Sequence, residues 1–213
     1  MRPHKSFTLI AQEFKCDKNC PYCTAKTTLW PLAKSNQWDK LESRIQEFRQ
    51  HGVTFEYATL SGNGEPSLLP MADLKYIFQA LHANRDIFPF VRCQTSGNGF
   101  YNQEYQDLLG PEDVYEITRV SFDPDVDMRT LRYARDYTKT ESFRKSPLVL
   151  NIVLMKGVDP IKEMERYSAA WPNLREINLV VLNLNTLTGD AGNKYSQWIL
   201  RESVREDGVP DVV

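Results

Sequence analysis

Strand and helix signals alternate along the 213 residues of this chain. Stretches with apolar residues at helical spacing, such as Leu41, Ile45 and Phe48, separate runs rich in β-branched and aliphatic residues. Because parallel strands need long crossover connections, the alternation predicts an α/β fold with a mostly parallel sheet. Right-handed crossovers leave two architectures, an open doubly wound sheet or a partial barrel. The predicted strands cover residues 6–14, 53–61, 90–95, 114–122, 148–155 and 177–184, and the last two predicted helices cover 161–167 and 194–204.

The bulk composition is that of a soluble globular protein, with 41% hydrophobic and 25% charged residues. A formal net charge of -2 argues against a general binder of nucleic acids or membrane surfaces. No apolar run approaches the length of a membrane span, and the N-terminus lacks the apolar region of a secretory signal. We therefore expect a cytoplasmic protein with no membrane partner. The length suits one substantial core, so we expect a single domain over residues 1–213.

Three of the four cysteines lie within eight residues. Cys16, Cys20 and Cys23 are separated by three and then two residues, whereas Cys93 follows seventy residues later. In a reducing compartment such a cluster favours metal binding over disulfides. Three thiolates on one irregular loop can converge on an iron–sulfur cluster, for which thiolates are the ordinary ligands. Cys93 is predicted to be a small buried residue on the third strand.

Two other readings of the cysteines stay open at this point. His4 would complete a Cys3His zinc site if the first strand folded back onto the loop. Cys20 and Cys23 also have the C-x-x-C form of a thioredoxin-like redox pair, although Cys16 would then have no role. A non-enzymatic zinc or electron-transfer module is therefore the alternative from a different class of protein.

A second motif follows the second predicted strand, in the order Gly62, Asn63, Gly64, Glu65 and Pro66. Taken alone, it is typical of a glycine-rich turn with an acidic residue at a helix start. The motif follows the cysteine loop by one strand–helix unit, and this order gives it a more specific interpretation.

The two motifs together resemble those of the radical S-adenosylmethionine (radical SAM) superfamily. The cysteine spacing matches, and the aromatic Tyr22 stands directly before the last cysteine. Residues 62–66 resemble the Gly-Gly-Glu-Pro motif, with Asn63 where the first glycine usually stands. Asn adopts left-handed backbone angles more readily than most residues, which makes the exchange physically reasonable. The resemblance implies a partial (β/α)6 TIM-like barrel with the cluster at the C-terminal ends of the strands.

The resemblance also implies site residues. Cys16, Cys20 and Cys23 would bind a [4Fe–4S] cluster whose fourth iron takes S-adenosylmethionine, and the backbone and acidic residue of the turn at 62–66 would hold the methionine amino group. Polar residues at later strand ends would line the cofactor. Those candidates, in addition to Tyr22 and residues 62–66, are Thr95, Ser96, Ser121, Asp123, Asn151 and Asn183. Asn151 lies mid-strand and needs a hydrogen-bond partner, either the backbone or a ligand.

As the resemblance implies, a reduced cluster would cleave S-adenosylmethionine to methionine and a 5′-deoxyadenosyl radical, which abstracts hydrogen from a substrate. An electron donor such as flavodoxin or ferredoxin would be a partner. We expect a small-molecule or nucleotide substrate. The alternatives are a glycyl-radical-enzyme activase, which acts on a protein, and a tRNA-modifying enzyme, which acts on a nucleic acid.

Overall fold

The computed structural model describes residues 4–11, 16, 18, 38–62, 64–123, 136–154 and 158–180. Six strands and five α-helices lie in these ranges, joined in part by short 3₁₀ turns. The elements are β1 (His4–Ala11), α1 (Leu41–Gln50), β2 (Phe55–Gly62), α2 (Met71–His82), β3 (Val91–Thr95), α3 (Gln103–Gln106), β4 (Val114–Arg119), α4 (Glu141–Lys145), β5 (Leu148–Val153), α5 (Pro160–Ala170) and β6 (Leu174–Val180).

The six strands form one parallel sheet in the order β1-β2-β3-β4-β5-β6. Spatial order therefore follows chain order without reversal. Right-handed crossovers that always advance in one direction bring every helix to the same side of the sheet. A doubly wound sheet would instead reverse direction once. The strand order thus decides between the two predicted architectures, and the fold is a partial TIM-like barrel.

All six predicted strands are present in the described residues, with shifted ends. The sixth begins at Leu174, three residues before its predicted start, because Leu174 pairs with Leu148 across the β5–β6 ladder. The helix predicted over 161–167 extends to Pro160–Ala170, since the Asp159 carboxylate caps it by accepting from the amides of Ile161 and Lys162 at 3.0 and 3.3 Å. The helix predicted over 194–204 lies outside the described residues.

The chain divides into two compact units. The first comprises Met1–Cys16, Pro31–Glu116 and Tyr137–Pro147, and the second comprises Asp17–Trp30, Ile117–Asp136 and Leu148–Val213. A single domain over residues 1–213 stays a prediction. No helix within the described residues is long and apolar enough to cross a membrane.

The core of the first unit lies between the sheet and its helices. Leu60, Val91 and Cys93 are fully buried on one face of β2 and β3. Helix α2 buries an apolar stripe of its own, formed by Leu74, Ile77, Phe78 and Leu81. The predicted burial of Cys93 is thus confirmed, and burial raises the pKa of its thiol far above the ordinary value.

Asp113 links four segments of the first unit at the amino-terminal edge of the sheet. Its fully buried carboxylate accepts from His82 Nε2 at 2.7 Å and Arg85 Nη1 at 2.8 Å. It also accepts from the amides of Val91 at 2.9 Å and Gly110 at 2.8 Å. Burial alone would raise the pKa of Asp113, but the hydrogen bonds from His82 and Arg85 offset this and hold it below the ordinary value.

The second unit has its own aromatic cluster. The ring of Tyr167 on α5 packs edge-on against Phe122 at 5.1 Å between centroids and tilted against Trp171 at 4.7 Å. Tyr167 is fully buried, as are Leu150 and Ile152 on β5. These contacts hold α5 against the segment that follows β4.

Candidate functional site

The strands that precede Cys16 and the glycine-rich turn end at the same edge of the sheet. β1 and β2 are parallel and in register, with Ala11 opposite Gly62 at their carboxyl ends. Cys16 follows Ala11 by five residues, and Gly64 follows Gly62 by two. The carboxyl edge of a parallel sheet is where ligands bind in α/β folds, and both Ala11, which precedes Cys16, and Gly64 lie at that edge of the first unit.

Of the predicted cysteine ligands, Cys16 is described and its side chain is half-buried. Cys20, Cys23 and the neighbouring Tyr22 lie outside the described residues, as do Asn63 and Asn183. The residues that the structure describes contain no group of three His, Cys, Asp or Glu side chains placed to hold a metal ion.

The donor set nonetheless fits a [4Fe–4S] cluster in its chemistry. Thiolates are the ligands such clusters take, and three of them leave one iron open for a second ligand. Cys16 is the first of the three cysteines in the chain, and the β1–β2 register brings the end of β1 beside the strand that leads to Gly64 and Glu65. Cys16, Cys20 and Cys23 would be the residues that hold it.

Glu65 is the most heavily hydrogen-bonded side chain of this edge. The residue is 3% exposed, and its carboxylate receives five donors from three residues. Oε1 accepts from the Ser67 amide at 3.2 Å, the Ser67 hydroxyl at 2.7 Å and the Thr95 hydroxyl at 2.8 Å. Oε2 accepts from the Ser96 amide at 2.5 Å and the Ser96 hydroxyl at 2.7 Å. The structure thus brings together three predicted site residues, Glu65, Thr95 and Ser96.

Local backbone preferences explain the turn that carries Glu65. Glu65 is extended and caps a 3₁₀ turn over Pro66–Leu68, with proline at the first position of the turn. Proline favours that position because it has no amide hydrogen and its φ is already suitable. Pro66 and Ser67 are buried beside the carboxylate. The sequence Glu-Pro-Ser therefore directs the Glu65 side chain inward, toward the end of β3.

The turn after β3 is fixed by Thr95 and by Gly97. The Thr95 hydroxyl oxygen accepts from the amides of Gly97 and Gly99, both at 3.1 Å. Gly97 has φ +103°, a conformation that side chains disfavour, and a Cβ there would lie 2.2 Å from Cδ1 of the Tyr137 ring. Glycine is required at this position both for the backbone angle and for the close approach of Tyr137.

A polar layer, defined by Ser61, Gln94 and Glu116, crosses β2, β3 and β4 on the sheet face opposite α2. The Ser61 hydroxyl donates a short hydrogen bond to Gln94 Oε1. Gln94 Nε2 donates to Glu116 Oε1 at 3.3 Å. Two residues earlier on β3, the Arg92 guanidinium lies 4.0 Å above the centre of the Tyr57 ring.

The sequence analysis did not predict this polar layer, although the residue pattern of β2 indicates it. Along β2, the buried apolar Ala58 and Leu60 alternate with the polar Thr59 and Ser61. Parallel strands that are covered on both faces by apolar cores have continuous runs of hydrophobic residues. Alternation of apolar and polar residues therefore indicates that one face of the strand is polar. On β3, Arg92 and Gln94 continue that face.

In the second unit, Ser121 and Asp123 follow β4. Ser121 is 5% exposed, and its hydroxyl oxygen accepts from the Asp123 amide at 3.1 Å. Between them, the Phe122 amide donates a short hydrogen bond to the Glu163 carboxylate, which also accepts from Arg166 Nη1 at 3.0 Å. Glu163 is 5% exposed and was not predicted as a site residue. Glu163 lies in the first turn of α5, where acidic residues are common because they interact favourably with the helix dipole. The sequence therefore gives no sign of its contact with Phe122.

Asn151 has a side-chain partner that the sequence did not suggest. Its Oδ1 accepts from Asn178 Nδ2 at 3.1 Å, and the two residues are directly paired in the β5–β6 ladder. The predicted choice was between backbone and ligand. One partner is the residue beside it on the next strand, and whether a ligand also binds Asn151 stays a prediction.

Comparison with known proteins finds similarity in fold but not in sequence. No protein family matches the chain. No curated protein matches it in sequence. Among solved structures, the chain is similar to Streptococcus suis SuiB bound to the precursor peptide SuiA, with a TM-score of 0.61 and 13% identity over 93% of this chain and 46% of that chain. It is also similar to Streptococcus suis SuiB bound to S-adenosylmethionine, with a TM-score of 0.58 and 13% identity over 85% of this chain and 41% of that chain.

The likeness establishes a shared fold. The described chain spans less than half the length of the SuiB chains that it matches. The chain is therefore an α/β partial barrel, and a protein of the same fold has been solved with S-adenosylmethionine bound.

Proposed function

We propose that this chain is a radical SAM enzyme that binds a [4Fe–4S] cluster through Cys16, Cys20 and Cys23 and cleaves S-adenosylmethionine reductively for hydrogen abstraction from a substrate. The observation that carries the proposal is the parallel β1–β2 register, in which Ala11 lies opposite Gly62. That register brings the end of β1, which leads to Cys16, and the Gly64-Glu65-Pro66 turn to one edge of the sheet. Either motif alone has an ordinary structural explanation, but two strands that lead to the two motifs and end side by side support a shared ligand.

The similarity to SuiB is a second, independent support. A solved structure with this fold holds S-adenosylmethionine, and the aligned part covers 85% of this chain. Zinc modules and thioredoxin-like redox pairs gain no comparable support from the fold.

The chain's own residues would bind and orient the cofactor. When bound, the cluster would supply one electron to the sulfonium of S-adenosylmethionine. The turn at 62–66 would receive the methionine end of the cofactor, with its shape fixed by the bonds that Glu65 accepts from Thr95 and Ser96. The buried surroundings of this turn would exclude water from the methionine end.

For the substrate we propose a small polar molecule or nucleotide. The support is the polar layer of Ser61, Gln94 and Glu116, because a sheet face that binds a polar molecule needs hydrogen-bonding side chains that an apolar core would not carry. We further propose that a flavodoxin or ferredoxin supplies the electron and that the enzyme works in the cytoplasm, where a cluster of thiolates stays reduced.

The test is anaerobic purification and reconstitution with iron and sulfide. We expect a brown protein with about four irons per chain and an EPR signal in the reduced state that changes when S-adenosylmethionine is added. We also expect 5′-deoxyadenosine to accumulate with dithionite. A protein that holds zinc without iron and releases no 5′-deoxyadenosine would refute the proposal.

The matched variants are Cys20→Ala and Cys93→Ala. Cys20→Ala should abolish both the cluster and 5′-deoxyadenosine formation, whereas Cys93→Ala should keep both because Cys93 is fully buried on the helix-facing side of β3. Retention of full cleavage by Cys20→Ala would contradict the ligand assignment. Deuterium transfer into 5′-deoxyadenosine from labelled nucleotides, compared with labelled peptides, then tests the substrate class.

A further inference from the structure

The hydrogen-bonding capacity of the Glu65 carboxylate is already filled within the chain. A carboxylate offers about four lone-pair sites, and the five donors from Ser67, Thr95 and Ser96 occupy both oxygens. An incoming ammonium group would have to displace at least one of them. The residue is also 3% exposed, so such a group would first have to open the turn.

The direction of the Thr95 bond follows from its neighbours. The amides of Gly97 and Gly99 both donate to the Thr95 hydroxyl oxygen. Because both of these contacts use the oxygen as an acceptor, the single hydroxyl hydrogen of Thr95 is left for Glu65, 2.8 Å away. Thr95 thus connects the turn after β3 to the turn after β2.

We infer that Glu65 is a positioning residue that ties the turn after β2 to the end of β3, and that its side chain does not bind the amino group of the cofactor. Thr95 and Ser96 are positioning residues of the same latch, defined here as Glu65, Thr95 and Ser96. The inference rests on the proposed function for the identity of the ligand, but the latch is a property of the unloaded protein.

A ligand-binding role and a structural role of Glu65 predict different effects of its replacement on the melting temperature of the apo-protein. If Glu65 binds a ligand amino group, its replacement leaves the melting temperature of the apo-protein almost unchanged. If Glu65 is a latch, Glu65→Gln places an amide hydrogen against the donors of Ser96 or of Ser67 and Thr95. We expect the apo-protein to lose about 5–15 °C in melting temperature for Glu65→Gln and about 3–10 °C for Ser96→Ala.

The double variant tests whether the two residues act together. Because Glu65→Gln already disturbs the bonds from Ser96, adding Ser96→Ala should lower the melting temperature by clearly less than the sum of the single effects. Thr95→Ser keeps the hydroxyl and is the conservative control, which should melt within about 3 °C of the wild type. Additive effects, or a Glu65→Gln apo-protein that melts like the wild type, would overturn the latch.

In the reconstituted enzyme, the latch predicts that Ser96→Ala raises the KM for S-adenosylmethionine by about as much as Glu65→Gln, each roughly tenfold, with kcat less affected. A large effect of Glu65→Gln beside a negligible effect of Ser96→Ala would identify Glu65 as a direct ligand instead. If the wild type cleaves no S-adenosylmethionine, the proposed function fails. The melting temperatures of the apo-protein still decide whether the latch exists.

Discussion

Replacement of Asp113 by asparagine gives the sharpest test of what holds the first unit together. The buried carboxylate accepts from His82, Arg85, and the amides of Val91 and Gly110, two donors on each oxygen. Asparagine keeps one acceptor oxygen and presents an amide group where the other stood. Two of the four donors therefore lose their acceptor and face a donor.

The magnitude follows from those two lost bonds. A hydrogen bond to a charged group contributes about 1.5–3 kcal/mol, and breaking a buried charged pair by changing one partner costs about 3–5 kcal/mol. We expect Asp113→Asn to lower the free energy of unfolding by about 3–5 kcal/mol. For a chain of this size that corresponds to a fall in melting temperature of about 6–20 °C.

The assay is urea unfolding at pH 7 of the wild type, Asp113→Asn and the control Glu112→Gln. Glu112 is the exposed neighbour of Asp113, and its replacement should change the free energy of unfolding by less than about 0.5 kcal/mol. A loss below about 1 kcal/mol for Asp113→Asn would refute the interpretation of Asp113 as the anchor of these four segments.

The pH dependence of the same difference is a second readout. The pKa of Asp113 is lowered in the folded protein, chiefly because the bonds from His82 and Arg85 outweigh the effect of burial. A lowered folded pKa gives stability that is complete above the unfolded pKa, about 3.9. That stability is lost as the pH falls through the folded pKa. The difference between wild type and Asp113→Asn should stay constant from pH 7 to about 5, and a difference that disappears near pH 6 would contradict this assignment.

Further predictions concern the turn after β3 and the start of α5. Gly97→Ala combines φ +103° with a Cβ 2.2 Å from the Tyr137 ring, so we expect a loss of about 2–4 kcal/mol in urea unfolding, and wild-type stability would show that Tyr137 can move aside. Glu163→Gln weakens the acceptor of the Phe122 amide and the pair with Arg166, so hydrogen exchange at that amide should accelerate about tenfold or more. The control is Glu165→Gln, a change at an exposed position of the same helix. Equal exchange rates of the Phe122 amide in the two variants would contradict the role of Glu163 as its acceptor.

Much of the fold could be predicted because its signals are local. Helical spacing of apolar residues and runs of β-branched residues depend only on near neighbours, and they located all six strands in the described residues. Strand ends were less predictable, since pairing decides them. Leu174 belongs to β6 because Leu148 lies opposite it, and no residue near Leu174 signals that partner.

The candidate site divides in the same way. The sequence by itself determined that three cysteines lie within eight residues and that a Gly-Asn-Gly-Glu-Pro stretch follows the next predicted strand, because both are patterns of nearby residues. Burial of Cys93 could also be predicted, because free cysteines are commonly buried, and the structure confirms it.

Only the tertiary structure decided which side chains meet. Glu65 receives donors from Thr95 and Ser96, thirty residues later, and Asn151 finds Asn178 on the next strand. These partners are set by the order and register of parallel strands, in which residues remote in sequence lie side by side. The strand order also decided between a doubly wound sheet and a partial barrel, because right-handed crossovers are compatible with both until the direction of each step is known.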